Sequence, residues 1–318
     1  MASPVATGPP ELSFTATNLN TLDRLPASLA SIRALGEALG GSFEIIVADG
    51  PSDDGASEWL RRESAADPRL RVIATPGRNR GRGRRTAFEA SVGRTIVPFD
   101  TSLAYDSGYG TILARYLSVG GPRMLFSEIC ALPRAAVEGA GGWRDLIGGE
   151  DVDLYARVVT KAGVIAAPTG ASASQSANLG SYARQMRYVR GGRLSRWRRM
   201  YRVQRDQIVA SHATVGDLMA FNRRKPFLPR VARAGFFSVC ALGAKFSPIP
   251  PVRLGKNNYL VVREGLFASL LAQDWRAILP AKSPPRLPLT DDEMTFLESR
   301  SELYRANREA LAPYLVRK

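Results

Sequence analysis

Residues 12–17 (LSFTAT) alternate apolar and small polar side chains, the period of a strand with one buried face. From Leu25 the apolar residues fall at 25, 29, 32, 35 and 39, which is the stripe of a helix that Gly40-Gly41 stops. Residues 43–47 (FEIIV) form a short apolar run of buried-strand type, ending in Ala48-Asp49-Gly50. The Gly/Ser/Asp loop 51–55 opens a second helix through Trp59 and Leu60, and residues 70–74 (LRVIA) make a third strand. The order β-α-β-α-β predicts a doubly wound α/β unit with a mostly parallel sheet. In such sheets ligands sit beyond the carboxyl ends of the strands, where Asp49 and the turn Thr17–Asn20 fall.

An Arg/Gly loop, residues 78–85 (RNRGRGRR), is expected to lead into a helix from Thr86. A strand at 95–99 (TIVPF) ends in Asp100, and residues 141–153 (GGWRDLIGGEDVD) lead into a helix over 154–162. Further on, residues 234–244 (AGFFSVCALGA) and 260–279 read as helices, 281–289 as a Pro-rich linker and 291–315 as a helix that opens with acids. The chain carries no internal repeat.

Composition narrows the chemistry. With 45% hydrophobic and 23% charged residues, the 318-residue chain is of ordinary globular make-up, long enough for two domains. Two cysteines and one histidine, His212, exclude a disulfide scaffold and His-rich metal chemistry. No apolar run reaches spanning length and no signal peptide opens the chain, so the expected compartment is the cytoplasm. The net charge of +15 is one-sided. Residues 1–150 hold 16 basic and 17 acidic side chains, residues 151–318 hold 28 basic and 12 acidic. A neutral half joined to a polycation points to a polyanionic partner: an anionic membrane surface, phosphorylated substrates or nucleic acid.

Five blocks in this order resemble family 2 glycosyltransferases. The first is Thr17-Asn18-Leu19-Asn20 with Arg24-Leu25-Pro26 and Ser28-Leu29 after it; the second is Val47 to Ala56 (VADGPSDDGA). The third pairs Gly81-Arg82-Gly83-Arg84-Arg85 with Asp100-Thr101-Ser102. The fourth is Gly141-Gly142-Trp143-Arg144-Asp145 with Gly149-Glu150-Asp151-Val152-Asp153-Leu154 and Arg157, and the fifth is the YARQMRYVRGGR stretch over 182–193. The resemblance covers about residues 12–205. It implies a GT-A fold over residues 1–215; the basic charge and apolar helical pattern of the rest predict a helical C-terminal region, 216–318, that docks on a membrane or packs on the first domain.

The resemblance also implies roles. Asp151 would be the base that deprotonates an acceptor hydroxyl, with inversion; read without it, Glu150, Asp151 and Asp153 are first-turn acids that complement a helix dipole. Thr17, Asn20, Asp49, Arg82, Arg85, Asp100 and Ser102 would line the nucleotide-sugar donor site. The lesser reading of Asp49 is a residue capping the next helix. Glu150, Arg187, Arg190, Arg193, Arg196 and Trp197 would face the acceptor or its phosphates, and Trp143 is either an acceptor platform or a core aromatic.

The metal motif departs from the family pattern. A DxD would hold Mg²⁺ or Mn²⁺ on the diphosphate, but Ser102 stands where the second carboxylate belongs. Asp100 is then the one carboxylate left for a divalent cation. Either the ion binds through Asp100, nucleotide and water, or arginines replace its charge, or activity is lost. The reading taken is a transferase acting on a lipid-linked or membrane-proximal glycan, peripheral on the inner face of the cell membrane. The rivals are a catalytically silent scaffold, which the Ser102 substitution motivates, and a nucleic-acid-binding protein built on the basic half; the membrane is set above nucleic acid because it accounts for both the charge asymmetry and the basic-flanked apolar segment.

Overall fold

The computed structural model describes residues 10–127, 130–167, 192–211, 214–221, 230–250, 285–300 and 315. In chain order its elements are β1 (Leu12–Asn18), α1 (Leu25–Ala38), β2 (Phe43–Asp49), α2 (Ala56–Ala66), β3 (Leu70–Ala74), α3 (Arg80–Ala90), β4 (Thr95–Asp100), α4 (Ser107–Val119), β5 (Met124–Phe126), β6 (Leu132–Pro133), α5 (Arg134–Gly139), α6 (Glu150–Ala162), β7 (Val164–Ala166), α7 (Arg193–Ser211), α8 (Val215–Phe221), α9 (Arg230–Lys245) and α10 (Asp291–Arg300).

The main sheet has the order β3-β2-β1-β4-β6, with the first four strands parallel and β6 antiparallel at the edge. The alternation of β1 decides what packs on each side. Leu12, Phe14 and Ala16 join Ile45, Val47, Val97 and Phe99 in a buried cluster with Leu29 and Ile32 of α1, Leu60 of α2 and Ile112 and Leu113 of α4. On the other face Ile46 and Ala48 of β2 meet Ala87 of α3. Ile96 of β4 packs with Phe88, Trp143 and the apolar side of α6. Strand order reverses between β1 and β4, so the topological switch point, and with it the expected ligand crevice, lies where Thr17 pairs with Asp100.

Three sequence expectations change. The helix α3 begins at Arg80, not Thr86: the Asn79 side chain caps it by accepting from the Arg82 N–H at 3.1 Å. The Arg/Gly run is therefore the first turns of a helix, not a loop. Likewise α6 begins at Glu150, four residues early, after Gly149 at φ 74°. Residues 285–289, expected as part of a linker, form strand bridges instead. The Ala166 N–H donates to the Pro285 carbonyl and the Leu287 N–H to that of Ala166, and Leu287 and Leu289 are fully buried. With Met294 and Leu297 of α10 they belong to the same cluster as β1 and α1. The helix expected over 260–279 lies outside the described residues. Among the described residues no helix is long and apolar enough to cross a membrane.

Candidate active site

Two loops at the carboxyl ends of β1 and β2 are tied together. The Asn18 amide donates to Asp49 Oδ1 at 2.8 Å, and the Ser52 hydroxyl approaches the same oxygen at 3.4 Å. Asn20, at φ 53°, donates its N–H to Ser52 Oγ and accepts the Asp53 N–H on its side-chain oxygen. An asparagine tolerates that left-handed backbone, and its side chain is what pins the second loop. Asp54, just before the N-cap Gly55, accepts from Ala56 N–H at 3.0 Å and from Leu22 N–H at 2.9 Å, so the acid that meets the start of α2 is Asp54 and not Asp49. Between these loops and the start of α3 opens a pocket lined by Thr17, Asn18, Gly50, Thr75, Gly77 and Asn79. Asp49, between the pocket-lining Ala48 and Gly50, is nearly buried with one oxygen already held.

Asp100 ends β4 at the switch point. The backbone N–H and hydroxyl of Ser102 both donate to its Oδ1, at 2.9 and 2.7 Å. Burial would raise the Asp100 pKa, but those two bonds and the positive field of Arg80 and Arg84 hold it below the ordinary aspartate value. Ser102 thus orients the carboxylate that precedes it rather than presenting a free ligand.

The positive field comes from one face of α3. Arg80 and Arg84, a turn apart, point toward the amino end of α6. Arg80 pairs with the buried Glu150 at 3.1 Å. Arg84, itself buried, donates to the carbonyls of Thr15 in β1 and Phe99 in β4 and reaches Asp151 Oδ2 at 3.3 Å. The other Asp151 oxygen accepts from the Trp143 indole N–H at 3.0 Å. Asp151 is therefore fixed by two donors in the crevice beside the switch point, while its side chain keeps 25% of its surface exposed. Burial pushes Glu150 above the usual glutamate range, with Arg80 pulling the other way. Sequence reasoning missed Arg80 and Arg84; the signal available was only that glycines alternate with arginines there.

The remaining expected residues divide. Arg82 and Arg85 lie on the opposite side of α3 and pair with Asp145 at 3.4 and 2.9 Å, away from the crevice. Trp143 is 1% exposed and stacks at a tilt on Phe88 with centroids 5.7 Å apart, so of the two readings it is the core aromatic. Arg193, Arg196 and Trp197 open α7, exposed, with Trp197 edge-on to Phe236 of α9. Arg187 and Arg190 lie outside the described residues. α7 borders the site: its Arg199 donates to the Arg78 carbonyl, and Asp206 accepts the Ile147 N–H at 2.8 Å. Asp153, fully buried, is gripped by Arg144 and Arg157 and so is structural.

Among the described residues no three His, Cys, Asp or Glu side chains group as metal ligands. Hard divalent cations take six or more oxygens. An ion here would draw on Asp100 alone from this part of the chain, with the rest from a ligand's phosphates and water, and two guanidiniums already supply positive charge to the same place.

A switch-point crevice with an acidic strand end, a capped Gly-rich helix start and a carboxylate at a facing helix start is the ligand-site arrangement of a doubly wound α/β fold. Residues 15–125, about a third of the chain, match the family model described as Glycosyl transferase family 2. A curated relative, glycosyltransferase AglD of Haloferax volcanii, is 44% identical over 66 residues, 20% of this chain and 11% of that protein. Among solved structures, the mannosyltransferase PcManGT of Pyrobaculum calidifontis, in complex with GDP-Man and Mn²⁺, is 13% identical with a TM-score of 0.46, over 96% of this chain and 89% of that one. S. aureus TarS 1–349, in complex with UDP-GlcNAc, is 13% identical with a TM-score of 0.43, over 97% and 93%.

Proposed function

We propose that the chain is a nucleotide-sugar-dependent glycosyltransferase that moves a sugar to an acceptor hydroxyl with inversion. The observation that carries the reading is Asp151, held by Trp143 and Arg84 at the mouth of the switch-point crevice. In this reading the pocket beside Asp49 takes the nucleoside, and Asp100 with Arg80 and Arg84 marks the diphosphate end. Asp151 removes the proton of the acceptor hydroxyl as that oxygen bonds to the anomeric carbon. The bond from this carbon to the β-phosphate oxygen breaks, its electron pair leaves with the nucleoside diphosphate, and the proton stays on Asp151. A bound Mg²⁺ or Mn²⁺ would add charge compensation on the diphosphate oxygens.

The acceptor is read as a lipid-linked or membrane-proximal glycan, on a chain peripheral to the cytoplasmic membrane face. The support is the basic half, 28 basic against 12 acidic residues over 151–318. The division of labour follows the sequence, transfer before about residue 215 and docking after it, although residues 285–300 pack with the first part.

The test is ligand-induced stabilisation by UDP-, GDP- and dTDP-sugars, each with Mn²⁺ and with EDTA, followed by turnover of the stabilising donor. One nucleotide class should raise the melting temperature. Asp151→Asn should keep that shift and lose turnover by about 10²–10⁴-fold. Absence of any shift, or unchanged turnover in the variant, refutes the proposal.

A further inference from the structure

α9 and the residue that follows it carry apolar side chains that face solvent: Val231, Val239, Leu242 and Phe246 are 85%, 59%, 57% and 79% exposed. At about 100° per residue the three within the helix lie within roughly 80° of its circumference, so they form one face rather than a scatter, and Phe246 follows just past the last turn. The opposite side of α9 is used. Phe237 packs with Leu218 of α8, and Phe236, Cys240 and Gly243 lie against Trp197 and Tyr201 of α7.

Those contacts also fix the relative direction of the two helices. Trp197 meets Phe236, and Tyr201 meets Cys240 and Gly243, so α7 and α9 run the same way. Viewed from their amino ends, Leu194, Arg198 and Arg202 sit about a quarter-turn clockwise of the α7 side that meets α9. The Val231–Phe246 stripe sits about a quarter-turn anticlockwise of the α9 side that meets α7. For parallel neighbours these opposite rotations point to the same side of the pair. Leu194 is 64% exposed, and Arg198 and Arg202 are exposed as well. The third side of α7, with Val203, Asp206 and Ala210, is buried against the 147–149 loop.

We infer that α7 and α9 together form a membrane-docking face, with the α9 stripe entering the headgroup boundary of an anionic bilayer and the α7 arginines on its phosphates. The proposal deepens the membrane-proximal reading of the acceptor and does not depend on the transfer chemistry. Charge complementarity selects the occupant. An apolar stripe flanked by guanidiniums is what an interfacial helix pair presents to acidic lipid. A single-stranded nucleic acid asks instead for a row of exposed aromatic platforms, and the stripe carries one ring, Phe246, beside three aliphatic side chains.

The experiment is co-sedimentation of the full chain with phosphatidylcholine vesicles, with and without phosphatidylglycerol, at physiological salt. Binding should require the anionic lipid and weaken as salt rises. Val239→Asp with Phe246→Asp should reduce it about tenfold or more, and Arg198→Glu with Arg202→Glu by on the order of thirtyfold. Because all four positions are exposed, melting temperatures should hold; if the aspartates lower them, Val239→Ser with Phe246→Ser takes their place. The inference is overturned if the protein ignores anionic vesicles, if neither pair of changes alters binding, or if the same changes abolish a dimer seen by sedimentation equilibrium, which would make the face a contact between copies. Asp151→Asn leaves vesicle binding unchanged, so failure of sugar transfer and failure of docking are read separately.

Discussion

As the proposed base, Asp151 needs its carboxylate and also needs it aimed, and two donors fix where its oxygens point. Trp143 is the cleaner of the two to test, because Trp143→Phe retains a ring against Phe88 and removes the N–H that Asp151 accepts, together with part of the indole's packing. Losing a hydrogen bond to a charged group costs about 1.5–3 kcal/mol, so turnover should fall about 10–100-fold with donor affinity unchanged. A variant that loses donor binding and turnover together would show that Trp143 only supports the core. Arg84 is a poorer probe, since its removal also strips the Thr15 and Phe99 carbonyls of a donor. Glu150 and Asp100 give a second test, through pH. Burial raises the Glu150 pKa above 4.5, so the folded chain holds that proton more tightly than the unfolded one. Its contribution is complete below 4.5 and is lost as pH rises through the folded value. Asp100 is lowered below 3.8, so its contribution is present above that pH and is lost as pH falls through its folded value. Thermal melts over a pH series should show Glu150→Gln gaining on the wild type as pH rises, and Asp100→Asn flattening the acid limb. Identical pH profiles for wild type and Glu150→Gln would remove the argument.

At the level of elements, α3 explains both what the sequence reveals and what it hides. Gly81 has its N–H on the Leu146 carbonyl at 2.9 Å, and a Cβ there would lie 2.1 Å from the Arg144 carbonyl oxygen. A Cβ on Gly83 would meet Thr17 Cγ2 at 2.5 Å. These glycines let the helix press onto β1 and the 144–146 turn. Gly81→Ala should cost roughly 3 kcal/mol because its clash is with backbone, and Gly83→Ala roughly 1 kcal/mol because Thr17 can turn. Urea melts of the two variants measure the difference, and equal stability would contradict the packing. The same contacts set the phase of the helix. Strands β1 to β4 were legible because alternation and short apolar runs are local signals, and so were Asp49, Asp100 and Asp151 at strand or helix ends. The choice of Arg80 and Arg84 over Arg82 and Arg85 was not, because an Arg-Gly repeat has no apolar period. Which arginines face the crevice depends on where the helix starts, and Asn79 and the distant Leu146 carbonyl decide that. Gly148-Gly149 before α6 follows the same logic: a Cβ at either position would meet Val203 or Ala210 of α7 at 2.9 Å.

At the scale of the whole molecule, the chain closes on itself. Residues 285–289 carry two prolines and follow a polar stretch, so they read as a linker, and only pairing with β7, more than a hundred residues earlier in the chain, makes them strand. The return brings Leu287, Leu289, Met294 and Leu297 to the cluster formed by α1, α4 and the sheet, and Glu293 to Arg115 at 2.9 Å. Four buried apolar side chains at about 1.5–3 kcal/mol each amount to roughly 6–12 kcal/mol, the size of a whole domain's stability. The ion pair adds little beside this, since both partners are partly exposed. A chain ending at residue 250 keeps every residue of the crevice and should nonetheless fail to give a cooperative melt. Adding residues 285–318 back as a separate peptide should restore that melt in proportion to the peptide concentration, because the lost contacts lie between surfaces and not along the chain. Cooperative unfolding of the shortened chain at the wild-type temperature would mean that the apolar cluster is complete without the return. The crevice would then be held by residues 10–167 and α7 alone.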